Sequence, residues 1–161
     1  MNTTADTNLW GIHAGKIGDA DSLFLKKYCL AVSWTKMGNL STLTPDRDAF
    51  KARVAEVYPD AKPGAIPNNA RQLFRFVHEM KPGDLVVYPS KRDRQIHLGR
   101  VGGDYRYDPN TELGYPQVRA VRWLRAVPRI PFSQGALYGI GSAMSLCLAR
   151  PSRGTAHLAP R

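Results

Sequence analysis

Residues 81–107 read KPGDLVVYPSKRDRQIHLGRVGGDYRY, and this stretch decides the fold. Asp84–Tyr88 is a dense run of β-branched and aromatic residues, which favours a strand. Pro89 stops it, Ser90-Lys91-Arg92-Asp93-Arg94 forms a charged hairpin loop, and Gln95–Val101 is the return strand. Gly102-Gly103 breaks that strand, and Tyr105-Arg106-Tyr107 follows as a short third one before a turn at Asp108-Pro109-Asn110. Strands that follow one another so closely are antiparallel neighbours. They do not fit the regular βαβ alternation of a parallel sheet.

Towards the C-terminus, Gln117 to Val127 alternates. Val118, Ala120, Arg122 and Leu124 share one side, and Arg119, Val121, Trp123 and Arg125 the other. Pro128 and Pro131 end it. Phe132 to Gly141 has helical spacing, Ser142 to Leu148 is its continuation or a last strand, and residues 150–161 read as a tail or linker. Towards the N-terminus, two helices precede the hairpin. Thr44 suits an N-cap and Pro45 a first helical position, with Phe50, Val54 and Val57 as the apolar stripe. Residues 60–67 read as a loop. A second helix over 68–80 carries Ala70, Leu73, Phe74, Val77 and Met80 on one face and ends at Pro82-Gly83. Before them lie a strand over 9–14, a helical turn around Leu23-Phe24-Leu25, and a buried strand over 28–34 closed by Met37-Gly38-Asn39-Leu40. Residues 1–8 read as a disordered lead. Without repeats or an internal boundary, residues 9–149 form one domain of α+β class.

The 161 residues are 43% hydrophobic and 22% charged, which places the chain among globular proteins. The longest apolar runs fall far short of the ~20 residues of a membrane helix. The polar start, Met1 to Leu9, lacks the Lys and Arg of a signal peptide. Cys29 and Cys147 sit among apolar neighbours and read as buried free thiols in a cytoplasmic protein. The formal net charge of +10 is uneven. Residues 1–70 hold 8 basic and 7 acidic side chains, and residues 71–161 hold 15 and 6. Most of the excess is arginine, whose planar fork suits phosphate oxygens. A nucleic-acid partner is the expectation, and a membrane partner is not.

Enzyme constellations are sparse. His13, His78, His97 and His157 have no metal-ligand spacing, and no nucleophile elbow, zinc-protease helix or phosphate-binding glycine loop occurs. No cofactor, metal or catalytic residue is expected. Asp84 with Lys91 downstream is a faint echo of a metal-nuclease site, although a turn role explains Asp84 equally well.

The aromatics carry more information. Trp10, Trp34, Trp123, Tyr88, Tyr105 and Tyr107 lie in or at the ends of predicted strands, where rings of a small barrel can stack a base. A core role is the simpler reading of Trp123. Trp34 ends its strand, and a pocket role competes there with a packing one.

The ordered set Trp10…Ala14-Gly15, LAVSW (30–34) with Gly38-Asn39-Leu40, KPGDLVVYPS (81–90), IHLGRVGGDYRY (96–107) and VRWL (121–124) resembles an EVE-type domain of the PUA superfamily. The likeness is nearest to the N-terminal modules of Mrr-like modification-dependent restriction endonucleases, and covers about residues 9–148. It implies a PUA/EVE-like curved antiparallel β-barrel with flanking helices that reads nucleic acid, often by taking a modified base into an aromatic cage. The matching cage positions are Trp34 with Ser33 beside it and the first strand around His13-Ala14-Gly15, with Tyr88 completing the wall. Opposite Trp34 the resemblance leaves Trp10 or a tyrosine.

On that reading Ser33, His13 and Asn39 meet the base edge, and stacking offsets the cost of flipping. Lys91, Arg92 and Arg94 at the hairpin tip, with Arg100, Arg106, Arg119 and Arg122, hold the backbone. The expected function is a non-catalytic reader of modified DNA serving a restriction endonuclease, with its nuclease domain in cis or in trans. The alternatives are a reader of modified RNA with the same fold, and a small metal-dependent nuclease using Asp84, Asp104 or Glu112.

Overall fold

The computed structural model describes residues 7–111 and 114–129, and the backbone of 146–149. The segments read above as a lead up to residue 6, as a helix over 132–141 and as a tail from 150, together with Glu112, lie outside the described residues.

The described residues form one curled, half-barrel sheet with three short helices. The strands are β1 (Leu9–Ile12), β2 (Cys29–Val32), β3 (Leu85–Pro89), β4 (Gln95–Val101), β5 (Arg106–Tyr107), β6 (Gln117–Pro128) and β7 (Leu146–Ala149). Their order across the sheet is β2-β6-β4-β3-β1-β7, with β5 also beside β6. The hairpin β3–β4 forms as the sequence indicates, pairing Leu85 with Arg100 and Pro89 with Ile96. The sheet is nevertheless mixed, because β1 runs parallel to β3 in the register Leu9–Leu85, Trp10–Val86, Gly11–Val87. It is also open among the described residues, with β2 and β7 at its two ends.

One buried carboxylate explains the parallel pairing. Asp84 accepts the Trp10 indole N–H at 2.9 Å, the Asn8 amide at 3.3 Å and the Lys81 amide at 2.9 Å. It thereby ties the start of β1 to the start of β3. Trp10 is wholly buried. It is therefore a core residue of the sheet and not a cage wall.

The curl follows from β6, whose twelve residues serve several partners. Its first turn of pairing is with β2 on one side and β5 on the other, and the rest is with β4. The β4–β6 register shifts between Leu98 and Gly99, and such irregularities bend a strand. Gly99 is required there, since a Cβ would stand 2.7 Å from the Trp123 ring and 2.8 Å from the Arg122 carbonyl oxygen.

The helices α1 (Asp21–Lys26), α2 (Arg47–Val57) and α3 (Ala65–Phe74) cover the core. In α2 the cap is Asp46, not Thr44, and its carboxylate accepts the Asp48 amide at 2.6 Å and the Ala49 amide at 3.4 Å. A carboxylate suits the positive end of the helix dipole. Phe50 and Val54 are fully buried, as their spacing requires. Helix α3 starts at Ala65, inside the stretch read as a loop, with Pro67 in its first turn, where the missing N–H costs nothing. It continues as a π turn over Arg75–Glu79, closed by the Met80 amide on the Arg75 carbonyl at 2.7 Å. The wider turn changes the phase of the apolar stripe. Ala70, Leu73, Phe76 and Met80 are buried, while Phe74 and Val77 are half-buried. Among the described residues no helix is long and apolar enough to cross a membrane.

Candidate functional site

The chain leaves β1 at Ile12 and turns through His13–Ala20. Gly15 and Gly18 take left-handed φ values of 83° and 77°. The Ala20 amide on the Ala14 carbonyl (2.9 Å) and the Gly18 amide on the Gly15 carbonyl (3.3 Å) hold this loop compact. Beside it β2 ends at Val32, Ser33 is exposed, and Trp34 adopts φ 40°, ψ 52°. A left-handed conformation is strained for a bulky residue, at a cost of about 1–3 kcal/mol.

A cavity of about 450 Å³ opens between these two strand ends. The loop supplies His13, Gly15, Lys16, Ile17 and Asp19 to its wall, β2 supplies Ala31, Val32 and Ser33, and Tyr115 closes it from the approach to β6. Its volume lies in the ~300–1,000 Å³ range of small-ligand pockets. The Tyr115 hydroxyl donates to Asp19 Oδ2 at 2.9 Å. Burial, and then the Asp19 carboxylate, push the Tyr115 phenol up to about 12. The ring therefore stays neutral and Asp19 remains the acceptor. Gly15 is obligatory: a Cβ would stand 2.0 Å from Asp19 Oδ1 and 2.3 Å from the Tyr115 hydroxyl.

The β3–β4 hairpin tip is fastened to the rim of this cavity. Lys91 Nζ donates to the Lys16 carbonyl at 2.5 Å, and Arg92 Nε to the Gly18 carbonyl at 3.1 Å. Ser90 Oγ donates to Asp21 Oδ1 at 2.7 Å and accepts the amides of Arg92 and Asp93, both at 3.2 Å. The Tyr88 hydroxyl donates to the same Asp21 oxygen.

The structure thus brings His13 and Ser33 into one cavity wall, with Lys91 and Arg92 bonded to the loop beside it, and places the other predicted residues elsewhere. Tyr88 is buried, with its ring 4.9 Å from Phe24 and 5.8 Å from His97, so it belongs to the core and not to a cage. Burial and the Asp21 carboxylate raise its pKa. Trp34 is half-buried against the core and does not line the cavity, although Ser33 beside it does. Asn39 caps the short helical turn Leu40–Thr42, accepting the Ser41 amide at 3.0 Å and the Ser41 hydroxyl at 2.7 Å. Its side chain is committed to the local backbone rather than to a ligand edge.

Arg119 differs most from expectation. It is 1% exposed, and its guanidinium donates to the carbonyls of Phe76 (3.0 Å), Val77 (3.4 Å) and Gly103 (2.9 Å). It cannot reach a phosphate, because it clamps the π turn to the β4–β5 turn. Burial lowers its pKa, and Asp104 and Asp84 act against that shift. Arg94 is exposed on the tip at φ 59°. Arg100 and Arg122 are exposed cross-strand partners at the other end of the hairpin, and Arg100 also donates to the Gly83 carbonyl at 2.9 Å. Arg106 lines a second cavity of about 360 Å³, where it meets Asp108 at 3.6 Å and Cys29 Sγ at 3.4 Å. Cys29 is accordingly half-buried beside a cation, not enclosed among apolar groups. The Cys147 side chain lies outside the described residues.

For a metal nuclease, Asp84 is unsuited, its oxygens being taken by three donors. Among the described residues no group of three or more His, Cys, Asp or Glu side chains stands ready to hold a metal ion.

Residues 10–142 match the family described as a domain of unknown function, DUF8426. The chain belongs to this family. No curated protein and no solved structure matches it. The DUF8426 match spans every residue of the cavity wall. Four members of that wall escape the sequence reading: Lys16, Ile17, Asp19 and Tyr115. Nothing in the sequence near Tyr115 marks it as a partner of Asp19, 96 positions away.

Proposed function

We propose that this chain is a non-catalytic reader of modified DNA of the EVE type, the recognition part of a restriction system. It takes one everted base into the cavity between the His13–Asp19 loop and the end of β2. The observation that carries this reading is the attachment of the cationic hairpin tip to the rim of that cavity. A pocket of nucleotide scale beside fixed cations is the arrangement that base eversion requires, with phosphates held by Lys and Arg and the base held apart from them. Ser33, Asp19 and Lys16 offer both acceptors and donors to a base edge, and Tyr115 is the aromatic residue on this wall, where Trp10 and Tyr88 were expected.

The test is a binding panel of methylated, hydroxymethylated and unmodified duplexes at two salt concentrations, with modified RNA as competitor. Wild type should prefer one modified duplex. Ser33→Phe, which fills the cavity from an exposed position, should abolish the preference and leave weak, salt-sensitive binding. Unchanged discrimination in Ser33→Phe, stronger competition by RNA, or divalent-dependent cleavage by this chain alone would each overturn the reading.

A further inference from the structure

We infer that Ile17 is a wedge: its side chain enters the base stack and fills the gap left when a base moves into the cavity, which makes double-stranded DNA the preferred ligand. This rests on the reader function proposed above and specifies its substrate. Ile17 is 74% exposed, the most exposed of the large hydrophobic side chains described. Its side chain is not packed into the core. Here it lines the cavity mouth. It also stands on the loop segment that the hairpin tip braces from both sides, through Lys91 on the Lys16 carbonyl and Arg92 on the Gly18 carbonyl.

The three parts suit one event. Everting a base costs a few kcal/mol of lost stacking. An apolar side chain inserted at the vacated step recovers part of that cost and keeps the base from returning. A wedge must not yield when pushed against a duplex, and the two side-chain-to-backbone bonds give this loop its backing. Lys91 and Arg92 bond the carbonyls on either side of Ile17, which brings positive charge beside this loop and suits the phosphates flanking an opened step. A single strand has no stack to enter, so the wedge is idle there.

The experiment compares wild type, Ile17→Ala and Ile17→Leu on duplexes and single strands of one sequence. Each strand carries central 5-methylcytosine, 5-hydroxymethylcytosine or cytosine, with 2-aminopurine next to it to report unstacking. Wild type should bind a modified duplex more tightly than the matching single strand and raise the 2-aminopurine signal. Ile17→Ala should lose on the order of tenfold in duplex affinity and most of the signal, and several-fold less than that on the single strand. Ile17→Leu should restore both. Equal losses on duplex and single strand, no loss on either, or a wild-type preference for single strands would overturn the wedge while the reader stands. A wild type that binds none of these probes would overturn both.

Discussion

Arg119 carries its charge into the interior with no carboxylate of the described residues within ion-pair distance, and three backbone carbonyls compensate it. Arg119→Met should leave those carbonyls unsatisfied and destabilise the fold by about 2–4 kcal/mol, read as a lower urea midpoint. Arg119→Lys should not rescue it, since an ammonium cannot span the π turn and Gly103 together. The burial of this residue was legible. The alternation of β6 puts Arg119 on the face of Val121, and Val121 is buried. Arginine is mostly a surface residue, and the three carbonyls that allow its burial come from distant segments. At Gly15 the expectation is equally local. Gly15→Ala meets both a left-handed φ and an occupied space, so it should cost at least 1–3 kcal/mol in the same unfolding experiment.

The β3–β4 hairpin shows why elements were easier to read than their partners. Its two runs, its charged tip and the glycines after it all lie within 25 residues, and local chemistry specifies them. The β1–β3 pairing depends on Asp84 meeting Trp10 and Asn8, and no local pattern encodes a partner so far away. For the same reason the sheet was expected to be wholly antiparallel. The cavity suffered likewise. His13 and Ser33 were legible as strand ends, whereas Tyr115 reaches the site only through tertiary structure. The tip itself supports a prediction about this element. Lys91→Ala and Arg92→Ala should each weaken binding of modified and unmodified duplexes alike. Each should also reduce the slope of log affinity against log salt by about 1.

Across the whole molecule the tyrosines set an alkaline limit. Burial and the Asp19 carboxylate push Tyr115 up to about 12 in the folded chain from the ordinary 10, and burial shifts Tyr88 and Tyr105 in the same direction. Between those values the unfolded chain has released protons that the native chain retains. The contribution of Tyr115 to stability is therefore complete below pH 10 and is lost as pH rises through about 12, and those of Tyr88 and Tyr105 also fall only above pH 10. Urea unfolding at pH 9 and pH 11 should show this fall, and Tyr115→Phe should make it shallower.

The parallel contact between the first and third strands has a consequence for biosynthesis. Asn8 and Asp84 are 76 positions apart. While a ribosome is still adding the residues between them, the amino-terminal segment has emerged without the neighbour it needs, its indole and apolar groups open to whatever else is in the cell. Assembly of the middle of the sheet must wait until translation has passed the hairpin. Such late, distant closure favours slow maturation and a demand for chaperone protection of the nascent chain.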